Sequence, residues 1–139
     1  MYKFFIKNEV HEEKLYNKIL LLSRNKFFYT KIALKDTFQN RINLIFLHIS
    51  FIFIKNKGKN QPSSYKDFYQ KLFDYTFQKI EINMREIGFG DVTVNKNMKF
   101  LTKSFYNILL NCEQYKNKSK KDKIIFFNNS LKSNNPENE

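Results

Sequence analysis

Tryptophan is absent from this chain, and glycine, proline and cysteine are nearly so: three, two and one among 139 residues. Each scarcity excludes something. A sandwich or barrel needs a turn roughly every 8–12 residues, and so few breakers favour long helices instead. One cysteine, Cys112, cannot close an internal disulfide and suits a reducing compartment. Acidic residues are also short, 13 against 25 Lys and Arg, which leaves a net charge of +12. Such a balance favours anionic partners: RNA, acidic lipid or acidic protein. Arginine is scarce even within the basic set, at Arg24, Arg41 and Arg85 only. The excess of Lys, Asn, Ile, Phe and Tyr is what AT-rich coding sequence favours, so a single lysine reads as solvated surface charge. The summed field still attracts polyanions. Residues Met1–Asn8 lack the long apolar run and small-residue cleavage site of a signal peptide, and Glu9, Glu12 and Glu13 do not suit a transit peptide. A bacterial, cytoplasmic protein is expected.

What is present is helical periodicity and sixteen phenylalanines, enough for one domain with a proper core. Residues 1–10 form an arm with a small apolar cluster, Phe4-Phe5-Ile6. Between His11 and Arg24, Leu15, Tyr16, Ile19, Leu20 and Leu22 mark one face of an amphipathic helix. Asn25–Tyr29 is expected as a short helical turn. Asp36-Thr37-Phe38-Gln39 reads as a capping-box variant that opens a helix over 37–55. Leu44–Ile54 is apolar nearly all round, the pattern of an element buried on every side. At eleven residues, it is too short for the roughly twenty needed to cross a bilayer. After a loop at 56–62, Phe68, Leu72, Tyr75, Phe77, Ile80, Met84 and Ile87 keep helical spacing over 65–87, about 34 Å of helix. Ser63 or Ser64 is expected to cap it. Val94, Met98, Leu101, Phe105, Ile108 and Cys112 form the seam of a last helix over 94–115. The expected fold is all-α, a compact bundle of four main helices and a short one around a buried central helix, with the helical domain at 11–115. Residues 116–139 are a basic, polar tail, flexible and largely disordered beyond 128, in which Lys116–Lys123 followed by Ile124–Phe127 suits either a frayed helical extension or contact with an anionic membrane.

The two long helices meet at Met84–Lys99, which holds Gly88 and Gly90. Gly88 reads as the left-handed residue that ends one helix, and Asp91 or Thr93 as the cap of the next. Arg85-Glu86-Ile87-Gly88-Phe89-Gly90-Asp91-Val92, Val94, Lys96 and Met98-Lys99 resemble the signature of the ubiquinol–cytochrome c chaperone family. A second block agrees in order: Phe28-Tyr29-Thr30, Asp36-Thr37, Arg41 and Leu47-His48. The resemblance spans about Leu15 to Tyr115. Departures are Lys35 where members commonly have proline, Asn40 where they often have glycine, and Lys55 and Lys57 in place of a tight basic pair.

The resemblance implies a non-catalytic assembly factor for respiratory complex III that handles newly made cytochrome b, near the ribosome or with another assembly factor. It would sit in the cytoplasm or at the inner face of the cytoplasmic membrane. The alternative reading is a general ribosome- or RNA-binding helical module. No catalytic residue, metal site, cofactor or small-molecule substrate is expected. His11, His48 and Cys112 are the only soft ligands and none is paired at ligand spacing. Cys112 on the seam reads as an inert thiol, and His48 as a hydrogen-bonded core histidine. Arg41, on a helix read as buried, is expected to pair with Asp91 or Glu86, so that Arg41, His48, Glu86 and Asp91 make a structural polar cluster. Arg85, Asp91, Lys96, Lys99 and Lys103 at the glycine corner are the expected partner surface.

Overall fold

A computed structural model of the chain describes residues 11–56 and 62–132. The expected arm at 1–10 and the end of the tail lie outside those residues. Helix α1 (His11–Ser23) is followed by the single turn α2 (Lys26–Thr30) and the central helix α3 (Phe38–Asn56). Helices α4 (Pro62–Ile87) and α5 (Asp91–Glu113) come next, then a 3₁₀ turn at Tyr115–Asn117 and α6 (Lys120–Lys132). No strand occurs among the described residues.

The apolar character of α3 sets the architecture. Ile42, Leu44, Ile45, Phe46, Leu47, Ile49 and Phe53 are all buried, and they point around the whole circumference of the helix. One neighbour cannot cover such an element, so α5, α1, α6 and α4 pack about it. At the centre Phe46 stacks on Phe77 of α4 (5.5 Å between centroids) and meets Phe105 of α5 edge-on at 5.3 Å. The expected seam of α5 is the buried one: Val94, Leu101, Phe105, Ile108 and Cys112 face the core. Burial pushes the Cys112 thiol up to about 12, which leaves it protonated and unreactive.

The start of α3 differs from the capping box read in the sequence. Thr37 is the cap, its Oγ1 accepting from the backbone N–H of Asn40 at 3.1 Å. Asn40 sends its own amide back to the Lys35 carbonyl at 2.9 Å. Asp36 is left free for another partner. In the same way α4 already begins at Pro62, so Ser63 and Ser64 lie within its first turn; proline at that position costs nothing, because its missing N–H would have no helical acceptor.

At 120–132, inside the stretch expected as a flexible tail, the chain forms α6. Phe126 and Leu131 are buried against the core, with Phe127 half-buried beside Phe51. Lys123 lies over the Tyr115 ring at 4.8 Å and Lys118 over Phe126 at 5.4 Å. Burial of these apolar residues against α3 holds the lysine-rich helix in place.

The corner between α4 and α5 follows from Gly88. Its φ is +107°, and paired hydrogen bonds close the helix end: Gly88 N–H to Arg85 O at 3.0 Å, and Phe89 N–H to Met84 O at 3.1 Å. A methyl group at Gly88 would meet nothing within 4 Å. Replacing Gly88 with Ala therefore costs only the backbone conformation, about 1–2 kcal/mol. Urea unfolding followed by circular dichroism should show that loss. An unchanged midpoint would mean that the turn tolerates a side chain.

Candidate functional site

The helices around α3 do not close over it completely. Leu44, Leu47, His48, Phe51, Ile52 and Lys55, spaced three or four apart, form the floor of a groove of about 840 Å³. Leu15, Ile19 and Leu22 of α1, again at helical spacing, make one wall, and Phe127 and Leu131 of α6 make another. The end is closed by Phe28 and by Ile32–Leu34, where Ala33 takes a φ of +57° and the Leu34 N–H reaches back to the Phe28 carbonyl at 3.0 Å. Leu22 and Ile32 remain 54% and 47% exposed, so the groove opens to solvent.

The lining is mostly aliphatic and aromatic, with Asn40, His48 and Asn128 among it. Lys18, Lys35 and Lys55 line it too, and no carboxylate does among the described residues. His48 is half-buried, its Nδ1 at 2.6 Å from the Leu44 carbonyl. Since that carbonyl only accepts, Nδ1 carries the proton. The ring also stands edge-on to Phe28 at 6.2 Å. Such a surface holds an apolar partner, with a few polar atoms to orient it.

The expected polar cluster does not assemble. Arg41 forms a two-pronged bond with Asp36, at 2.6 Å from Nε and 2.8 Å from Nη2, not with Asp91 or Glu86. These bonds hold the Asp36 carboxyl below its usual range. Arg41 lies in the first turn of α3, on a side that α1 and α4 leave half open, so its charge was never buried. Glu86 borders the same small cleft as Arg41 but is exposed, and no ion pair links the two. Asp91 is held instead by Arg85 Nη1, and Arg85 Nη2 also reaches Glu81 at 3.2 Å.

Asp91 does not cap α5 either. Gly90 occupies the cap position with no side-chain bond, and Asp91 opens the first turn, where the helix dipole favours an anion. Lys96, Lys99 and Lys103 are exposed along α5 beyond the corner. Among the described residues no three His, Cys, Asp or Glu side chains come together in a way that could hold a metal ion.

Residues 30–124 match the family model for the ubiquinol-cytochrome C chaperone. The chain belongs to that family. The match takes in the groove floor, the glycine corner and all of α5, while the wall from α1 and most of α6, including Phe127 and Leu131, lie outside it. No curated protein and no solved structure gives a significant match to the chain. Membership of a chaperone family supports an assembly role for complex III, implies binding to one of its components, and suggests that the role is not enzymatic.

The groove is the feature that sequence reasoning missed. Leu22, Ile32, Leu44 and Phe51 carry the same apolar signal whether they face a core or an open channel.

Proposed function

We propose that the protein is an assembly chaperone for ubiquinol–cytochrome c reductase that receives newly made cytochrome b and holds one of its apolar segments in the α1–α3–α6 groove. The observation that carries this reading is the groove itself: an open apolar channel of about 840 Å³, with no carboxylate among the described residues that line it, in a member of this family. A membrane subunit leaving the ribosome exposes long apolar stretches to water, and burial is worth roughly 25 cal/mol per Å² of apolar surface. A groove open along its length can bind such a stretch and later release it. The chaperone works at the inner face of the cytoplasmic membrane, where cytochrome b is inserted, with the ribosome or a second assembly factor close by.

Deleting the gene tests the proposal. Assembled complex III should fall severely, with cytochrome b message unchanged and the apoprotein short-lived. Normal complex III in the deletion strain would refute it. A general RNA-binding module predicts another pattern: broad translational defects, and affinity for naked RNA that falls steeply with salt.

A further inference from the structure

The outward side of α5 takes no part in the groove. At roughly 100° per residue, Val92, Lys96, Lys99, Phe100, Lys103 and Leu110 fall opposite the buried seam of Val94, Leu101, Phe105 and Ile108. The apolar members of this stripe are strongly exposed: Val92 at 83%, Phe100 at 49% and Leu110 at 60%. No acidic residue occurs between Val92 and Cys112. Asp91, at the near end, is paired with Arg85. Exposed Ile87 and Phe89 extend the apolar edge around the corner.

We propose that this face of α5 lies flat on an anionic lipid surface. The lysines would sit among the headgroups and Val92, Phe100 and Leu110 at the boundary with the acyl chains. Three features favour lipid over RNA. Exposed aliphatic side chains such as Val92 and Leu110 gain from an acyl boundary and nothing from a phosphate backbone. The charges on the stripe are lysines, whose long stems lie along apolar surface while their heads reach phosphates. The stripe is also straight, over a helix of 23 residues or about 34 Å. No helix among the described residues is long and apolar enough to cross a membrane, so this contact would be peripheral. The competing basic segment, Lys118 with α6, has Phe126 turned into the core, Lys118 over that ring and Lys123 over Tyr115, although Ile124 and Ile125 stay exposed.

Co-sedimentation of the full chain with vesicles of phosphatidylglycerol and phosphatidylcholine, against phosphatidylcholine alone, tests the assignment. The wild type should bind only the anionic vesicles. Replacing Lys96, Lys99 and Lys103 together with Gln should weaken binding roughly a hundredfold, at about fivefold per lysine. Val92→Ser with Leu110→Ser, which leaves every charge in place, should weaken it about tenfold. Lys120→Gln with Ile124→Ser and Ile125→Ser, on α6, should change it far less. Unaltered thermal midpoints would show that the variants are folded. The assignment is overturned by a wild type that ignores anionic vesicles, or by an α6 variant that loses more than the α5 variants. It is also overturned if the Gln variant loses RNA binding while Val92→Ser with Leu110→Ser keeps full vesicle binding, for then the face is an electrostatic RNA surface.

Discussion

Placing an aspartate at Leu22 or Ile32 should reduce capture of an apolar cytochrome b segment by a hundredfold or more and leave the fold intact. Both side chains line the groove and about half of each is already in water, so the bundle does not need them apolar. A carboxylate there stays solvated while the groove is empty. Once an apolar segment lies over it, the charge must lose its water with no partner on the occupant, and the lysines that line the groove, Lys18 and Lys35, offset only part of a cost of several kcal/mol. The readout is retention of a synthetic segment or of newly translated cytochrome b on immobilised protein, beside a thermal melt by circular dichroism. A lost melt would mean that the positions are structural. An intact melt with intact capture would mean that the client binds elsewhere.

Phe46→Ala should be the most damaging single truncation in the core. The ring is fully buried and interlocks the three longest helices, stacked on Phe77 and edge-on to Phe105. Phe105 in turn touches Phe53 and Phe73, so no flexible neighbour is free to refill the space. Removal leaves a cavity among rigid rings, costing about 3–5 kcal/mol. For a domain of this size the midpoint should fall by roughly 10–20 °C. Leu21→Ala, on a side chain mostly in solvent, should shift it by no more than a degree or two. A mild effect at Phe46 would mean that α4 and α5 do not pack on α3 as described.

Much of this fold could be read without coordinates because its signals are local. Gly88 marks a helix end because a positive φ is cheap only for glycine, and the run of Leu44–Ile54 marks a buried helix because only His48 and Ser50 in it are polar. What could not be read depended on competition between near neighbours or on uncovered surface. Arg41 had a local acid, Asp36, five residues back across the cap, which displaced the long-range partners expected for it. Thr37 took the cap that the capping-box reading gave to Asp36. A helical extension was legible at Ile124–Phe127, but its reach to residue 132 and its docking on the core were not, because Phe126, Phe127 and Leu131 sit in a lysine-rich stretch whose average composition reads as solvated. The groove was hidden for a deeper reason. Apolar patterning says which residues avoid water, and it does not say whether the same chain supplies enough surface to cover them.

The most direct test places a photo-crosslinking amino acid at position 22 during synthesis of cytochrome b. The account predicts an adduct with the nascent or unassembled subunit from position 22, and little or none from position 95 on exposed α5. Equal adducts from both positions, or none from position 22 while complex III still depends on the protein, would contradict it.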